Sequence, residues 1–215
     1  MSGKRSRADA SGGEWITTFA DLMTLLFCFF VLLTMLSAKP KECEGIAKFL
    51  RENEKQFRNY ELRSAKLQCI ISLPSDFLFR SGEDRIQRRA FRNLVPLFRA
   101  IKQLPEHTGD LITVEGHTDN IPIRTRKFKS NWELSSARAT NFATFLVKRM
   151  KFDGDLVSVN AFAEFRPKVS YLDISGKPLR GRELSSARKK NRRVEIILSE
   201  RPKSLESYKL LFGGK

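Results

Sequence analysis

Asp21 is a lone carboxylate inside an otherwise apolar run, Trp15 to Ala38 (WITTFADLMTLLFCFFVLLTMLSA). Placing a carboxylate within a membrane span is unfavourable by roughly 2.5–3.5 kcal/mol on insertion scales. Such a residue faces protein or a water-filled path, where it can take up and release a proton or a cation. At about 100° per residue, Thr17, Thr24 and Cys28 fall on the same helical face as Asp21. Thr18 borders that stripe and Thr34 points away from it. Small polar side chains around a carboxylate suit the lining of an ion site, although each threonine could instead bond back to a helix carbonyl. A second group of reactive types is spread over the C-terminal half: Gly116-His-Thr-Asp119, then Asn131, Leu134-Ser-Ser-Ala-Arg138, then Asn191-Arg-Arg-Val-Glu-Ile196. An aspartate that accepts from an ammonium and an arginine that forks onto a carboxylate, held at fixed separation, suit a zwitterionic ligand. The alternative is an internal Asp119–Arg138 salt bridge pinning strand to helix.

The element that must carry Asp21 is a helix. Read that way, the apolar run is about 36 Å long at about 1.5 Å per residue, enough to span a hydrocarbon core of about 30 Å with some tilt. It is too long for a cleaved signal peptide, and helices buried in soluble proteins seldom run so far without a polar face. Trp15 suits one interface, Lys39 and Lys41 the other. Lys4, Arg5 and Arg7 precede the span and Lys39, Lys41, Lys48 and Arg51 follow it, so charge alone leaves the orientation undecided.

With 215 residues the chain has room for this helix and one domain of about 150 residues. The net charge is +16. Residues 1–38 balance (Lys4, Arg5 and Arg7 against Asp9, Glu14 and Asp21), so the whole excess lies in 39–215. Such a basic domain suits a polyanion. The membrane tether, with no zinc-finger, basic-zipper or RNA-binding signature, excludes nucleic acid as the expected partner. The three cysteines, Cys28, Cys43 and Cys69, are an odd number and suggest no disulfide framework. Cys43 reads as a free thiol, or as one that pairs across a dimer axis. With His107 and His117 the only histidines, and no metal-protease, nucleophile-elbow, Walker or dinucleotide motif, no enzyme, resident metal or cofactor is expected.

Along the chain, 1–14 reads as a polar tail, 15–38 as the membrane helix and 39–65 as a charged spacer. The spacer holds a short amphipathic helix bearing Ile46, Phe49, Leu50 and Phe57. Pro40 ends the membrane helix or starts the next element. A folded domain spans 66–200, with strands expected at Leu67–Leu73, Leu111–Glu115, Leu156–Phe162 and Arg193–Leu198. Helices are expected over Arg88–Leu104, where Pro96 marks a kink or a start, and over Trp132–Met150, where Ser130 and Glu133 form a capping box. Glu164–Lys190 reads as a basic loop and 201–215 as a tail. The order β-α-β-α-β-β predicts a two-layer α/β sandwich behind a single N-terminal transmembrane helix. The hexamer Glu-Leu-Ser-Ser-Ala-Arg occurs at 133–138 and again at 183–188, too few copies for a repeat fold; it reads as chance or as shared helix-start chemistry.

The ordered set GHTD, NxxLSxxRA and NRRVE resembles the signature of OmpA-like peptidoglycan-binding domains, over roughly residues 66–200. The resemblance implies that Asp119 and Arg138 grip the free ammonium and carboxylate of a diamino acid in a peptidoglycan stem peptide. It also implies that Thr118, Asn131, Leu134 and Arg193 line or support that pocket. Ala161-Phe-Ala163-Glu164 stands where the family often has Gly-x-Gly-Glu, so that turn is expected to differ. Joined to Phe19-Ala-Asp-Leu-Met-Thr24, nearly the whole chain resembles the flagellar stator B-subunit (MotB/PomB) family. This implies a homodimer in the cell inner membrane, N-terminus cytoplasmic and C-terminal domain periplasmic, within a ring of a polytopic MotA/PomA-like partner. Ile46, Phe49 and Leu50 would then belong to a plug that blocks leakage. Ion flow past Asp21 would become torque while the domain holds the wall. The string around Asp21 is closer to sodium-type than to proton-type members, so Na+ is the favoured ion and H+ the alternative. Two other readings are a passive wall tether and an ion-driven unit of a non-flagellar system such as phage defence.

Overall fold

The computed structural model describes residues 11–36, 43–65 and 68–201. The first ten residues of the expected tail, the helix exit at Ser37–Ala38 with Lys39, Pro40 and Lys41, the domain start at Lys66–Leu67 and the tail beyond Arg201 lie outside these. The chain divides into two compact units at residues 39/40.

The first unit is helix α1, Ser11–Leu36. It begins four residues before Trp15, so part of the expected polar tail is helical. Its segment Trp15–Thr34 has a mean hydropathy of 2.2, and none of it is buried within the protein. Trp15, Phe19, Leu22, Leu25, Phe27 and Phe30 are all exposed. A helix that satisfies its own backbone and is apolar over most of its circumference is the form a chain takes in lipid.

The second unit runs α2 (Glu44–Glu52), α3 (Glu54–Phe57), β1 (Glu61–Ala65), β2 (Gln68–Pro74), α4 (Ser75–Leu78), α5 (Phe91–Gln103), β3 (Leu111–Gly116), α6 (Asn131–Thr144), β4 (Val157–Ala161), α7 (Gly181–Asn191) and β5 (Arg193–Ser199). The strands form one sheet in the order β1-β2-β5-β3-β4. Among the described residues only the β3–β4 pair is parallel, and α6 makes the crossover between those two strands. Alternation sets the inward face: Cys69, Ile71 and Leu73 of β2, Ile112 and Val114 of β3, and Val194, Ile196 and Leu198 of β5 are buried. Leu94, Leu97, Phe98 and Ile101 of α5 and Ala139, Phe142 and Ala143 of α6 complete the core. The expected α/β sandwich is therefore present. Pro96 sits within α5 rather than at its start, and the second expected helix is α6 followed by a π-helical turn, Phe145–Arg149. Ser130 caps α6 by accepting from the Glu133 N–H at 3.3 Å.

Four sequence expectations need correction. The domain does not begin at residue 66: α2, α3 and β1 belong to the folded unit. Ile46 is 1% exposed in its core, and Phe49 and Leu50 pack against it. These three side chains, expected on a plug, pack on the domain through the apolar stripe of α2, Phe49 and Leu50 only partly buried. Strand β1, ELRSA, gave no signal because it is an exposed edge strand without an apolar alternation. Within the expected loop 164–190 lies α7, a polar helix burying only Ala187 and Asn191. It carries the second hexamer copy in its first turns, as α6 carries the first. Finally, Cys43 and Cys69 form a disulfide that ties the start of α2 to β2. It closes a loop across a sequence separation of 26, which constrains the unfolded chain by about 3 kcal/mol. The odd cysteine is Cys28, exposed on α1.

Candidate functional site

Strand β3 delivers the second reactive group to the edge of the core. At its end, Gly116 passes so close to α6 that an added Cβ would collide with the Ser135 carbonyl oxygen, so only glycine permits this approach. The chain then turns through His117, Thr118 and Asp119, all buried. The Thr118 N–H donates to the Ala163 carbonyl at 2.8 Å, and the Ala163 N–H donates to Ser135 Oγ at 3.3 Å. Ala163 has φ +46° and is 1% exposed. The turn expected to differ thus keeps a left-handed residue, at a local disadvantage of about 1–2 kcal/mol for a side chain with a Cβ.

Beyond the turn opens a cavity of about 850 Å³. Thr118, Asp119, Asn131, Leu134 and Arg138 line it, together with Asp76, Phe79 and Arg192. Asn131 Nδ2 donates to the Ile121 carbonyl at 3.0 Å and fixes the loop after Asp119. Asp119 accepts from the Ile121 N–H on Oδ1 at 3.0 Å and from Arg192 Nη1 on Oδ2 at 2.9 Å. Arg192 also forks onto Asp76, Nε to Oδ1 at 2.9 Å and Nη2 to Oδ2 at 2.6 Å. The hydrogen bond from Arg192 holds the Asp76 carboxyl below the usual carboxylate range.

Arg138 is different. It is 5% exposed, lies over the Phe79 ring at 5.0 Å, and donates from Nε to the Glu83 carbonyl at 2.9 Å and from Nη2 to the Arg80 carbonyl at 3.3 Å. No ion pair joins it to Asp119 or, among the described residues, to any other carboxylate, so the expected alternative of an internal Asp119–Arg138 bridge does not form. Burial pushes its pKa down to about 10, against the opposing pull of Asp76, Asp84 and Asp119. A desolvated guanidinium without a counter-charge is costly unless an anion completes it. The cavity therefore offers a cation open to an anion, together with the carboxylates of Asp76 and Asp119.

Arg193, expected to line or support the pocket, does not line this cavity but supports its turn, its carbonyl accepting from the His117 N–H at 3.0 Å. Successive strand residues face opposite sides, and Arg193 turns to the other face of the sheet. There its Nε lies 3.0 Å from Glu195 Oε1. Arg192, missed in the sequence reading, is the arginine of the Asn-Arg-Arg run that enters the site, and Asp76, directly after the first turn residue of α4, was missed with it. The register of β5 would have separated the two arginines, but an isolated Asp76 gave no signal.

On the far face of the sheet Glu115, His117 and Glu195 approach one another closely enough to hold a metal ion geometrically. The residues do not fit that use. Glu195 already receives Arg193, Ser72 Oγ at 2.7 Å and Arg63 at 3.1 Å, so protein cations fill its acceptor positions. His117 stacks on Phe162 at 5.5 Å. Burial would raise the Glu195 pKa, but hydrogen bonding and charge from Arg193, aided by Ser72 and His117, bring it down to about 2 from 4.5. A carboxyl depressed on folding stabilises the fold above its unfolded pKa and loses that contribution as pH falls through the folded value. We therefore expect a loss of stability between about pH 4.5 and pH 2, amounting to about 3 kcal/mol from this group. Denaturant titrations of residues 40–215 across that range should show it. In Glu195→Gln this acid limb should flatten, while stability at pH 7 drops because Arg193 is left unpaired.

On α1, Asp21 is exposed, on the same face as Thr17, Thr24 and Cys28. Thr24 Oγ1 donates to the Ala20 carbonyl at 2.5 Å, and Thr18 Oγ1 to the Trp15 carbonyl at 2.9 Å. Back-bonding thus occurs, and it leaves hydroxyl lone pairs to accept from, or coordinate, something else.

Comparison with known proteins agrees with both halves. Residues 2–53 match the family described as membrane MotB of the proton-channel complex MotA/MotB, and residues 78–180 match the OmpA family. The chain is 30% identical over 173 residues to motility protein B of Bacillus subtilis; the alignment covers 77% of this chain and 59% of that relative's length. Among solved structures, the cell wall anchor of the Pseudomonas aeruginosa T6SS aligns with a TM-score of 0.59 at 24% identity, over 73% of this chain and 97% of that one. The periplasmic domain of Helicobacter pylori MotB aligns with a TM-score of 0.56 at 24% identity, over 73% of this chain and 89% of that one.

Proposed function

The chain belongs to the MotB family and carries an OmpA-like domain, and on that premise we propose that it is the ion-carrying, wall-anchored B subunit of a flagellar stator. The observation that carries this reading is the presence on one chain of a membrane-length apolar segment, Trp15–Thr34, with a single carboxylate, Asp21, and a folded unit whose buried Arg138 has no ion-paired carboxylate among the described residues. The second unit binds the stem peptide of peptidoglycan: Arg138 takes the free carboxylate of its diamino acid, while Asp119 and Asp76, held in place by Arg192, face its ammonium. The first unit works as a homodimer with a polytopic MotA/PomA-like partner in the inner membrane, its N-terminus in the cytoplasm. A cation entering from the periplasm neutralises Asp21, changes how α1 packs on the partner and leaves to the cytoplasm. Because the wall holds the complex still, partner motion becomes torque. A passive tether would need no carboxylate at this depth.

The carried ion is sodium in this reading. A hard cation wants several oxygens, and Thr24, which donates its hydroxyl to the Ala20 carbonyl, keeps acceptor lone pairs on the helical face it shares with Asp21. A proton, named in the description of the matching family, needs the carboxylate alone. Ion flux through the chain co-assembled with its partner, measured with and without sodium at constant pH, is expected to fall at least tenfold when sodium is withdrawn. Unchanged flux would assign the path to protons.

A further inference from the structure

Next to the stem-peptide cavity lies a second one, of about 540 Å³, and the two share Asp76 and Arg89 in their walls. Its charges are uneven: Arg58, Arg89, Lys168, Lys189, Lys190 and Arg193 against Glu61 and Asp76. Both acids are already satisfied. Glu61 receives Lys168 Nζ at 2.6 Å, and both oxygens of Asp76 receive Arg192. Arg193 is in turn committed to Glu195. Arg58, Arg89, Lys189 and Lys190 remain, all exposed and without a carboxylate partner among the described residues. Arg89 makes one bond, to the Asp76 carbonyl at 3.1 Å, which fixes it on the ridge between the cavities. The basic surface continues past that ridge through Arg80, Arg85 and Arg88. Like charges crowd here at some electrostatic disadvantage, offset only in part by the Arg89 bond to the Asp76 carbonyl and by the charge of Lys189 acting on the Asp76 carboxylate.

We propose that this second cavity is an oxyanion subsite, in which Arg58, Arg89, Lys189 and Lys190 receive the next anionic group of the wall polymer whose stem peptide fills the first cavity. The proposal rests on the wall-binding reading and extends it. The shared wall argues for one continuous ligand: a chain leaving Arg138 across Asp76 and Arg89 meets the four cations directly. The recognised chemistry is a carboxylate of a neighbouring stem peptide or a phosphodiester of a polymer attached to the wall. Exposed cations act through a screened field, so their contribution belongs to low ionic strength.

The test is co-sedimentation of the full chain in detergent with purified cell walls, either intact or acid-stripped of phosphodiester polymers. The variants are Arg58→Gln/Lys189→Gln/Lys190→Gln and, as a charge-matched control, Arg92→Gln/Arg99→Gln/Lys148→Gln, whose residues line neither cavity. At low salt the first variant should bind about tenfold more weakly than the wild type and the control less than twofold more weakly. The difference should shrink to under about twofold at 0.5 M salt. An equal loss on both wall preparations assigns the subsite to carboxylates; a loss on intact walls alone assigns it to phosphodiesters. If the two triple variants bind alike, the subsite is overturned while stem-peptide binding stands. If Arg138→Leu binds walls as the wild type does, the underlying reading fails instead. Loss of binding to phosphatidylglycerol vesicles with wall binding untouched would make the patch a membrane contact and overturn the proposal.

Discussion

Asp21→Asn is expected to abolish ion flux and swimming while leaving the amount of protein in the membrane and its binding to walls unchanged. Asparagine matches aspartate in size and removes the charge, so insertion becomes easier by about 2.5–3.5 kcal/mol less the residual penalty of an amide. Assembly should not suffer. The cycle is lost because a neutral amide cannot alternate between an ion-bound and an ion-free state. Each elementary charge moved through the membrane gains about 2.3 kcal/mol per 100 mV, and this chain has one acidic group within the span to couple that energy to packing. Asp21→Glu keeps the charge on a longer arm. It displaces the carboxylate by about one methylene from the Thr17, Thr24 and Cys28 face, so a reduced but measurable flux is expected. The comparison needs motility, flux and immunoblot readings on the same strains. Full-speed swimming of the asparagine variant would end the ion-carrying reading and leave a tether.

Some of this architecture was readable from residue order, and the reasons differ by element. Helix α1 was plain because its apolar stretch is continuous and long, a signal with few competing explanations. Strands β2, β3 and β5 were plain because each buries one alternating set. The edge strand β1 and helix α7 were not, since neither has an apolar face: their positions come from pairing with β2 and from anchoring by Ala187 and Asn191. Helix α2 was seen as a helix, but its burial was not, because the same narrow stripe serves a free amphipathic segment or a docked one. The Cys43–Cys69 pairing depends on where α2 docks, so counting cysteines could not yield it. In the site, Asp119, Asn131, Leu134 and Arg138 fell together as expected because the Gly116 approach locks β3 against α6. Arg192, just before β5, and not Arg193 reaches the cavity because successive residues of the run face opposite sides.

Arg138→Leu is expected to weaken wall binding by about 100-fold or more without lowering the melting temperature by more than a few degrees. The two halves of that statement come from the same observation. A bidentate, charge-assisted contact in a desolvated site contributes on the order of 3 kcal/mol, mostly through slower release. No carboxylate among the described residues is ion-paired to the guanidinium, and the nearby acids have other partners (Asp76 and Asp119 on Arg192, Asp84 on Lys127 and Asn141), so its removal leaves no buried acid stranded. It frees only the carbonyls of Glu83 and Arg80, which lie on exposed residues. Leucine can occupy the space over Phe79, and loss of an unpaired buried charge offsets the lost bonds. Arg138→Lys separates charge from geometry. It retains the cation but not the planar fork, so intermediate binding, some tenfold below the wild type, is expected. A structural arginine would behave in the opposite order, with stability falling in both variants and wall binding following stability. Calorimetry and co-sedimentation on the same preparations distinguish the two patterns. Unaltered wall binding in the leucine variant would remove the cavity between α6 and Arg192 as the anchoring site.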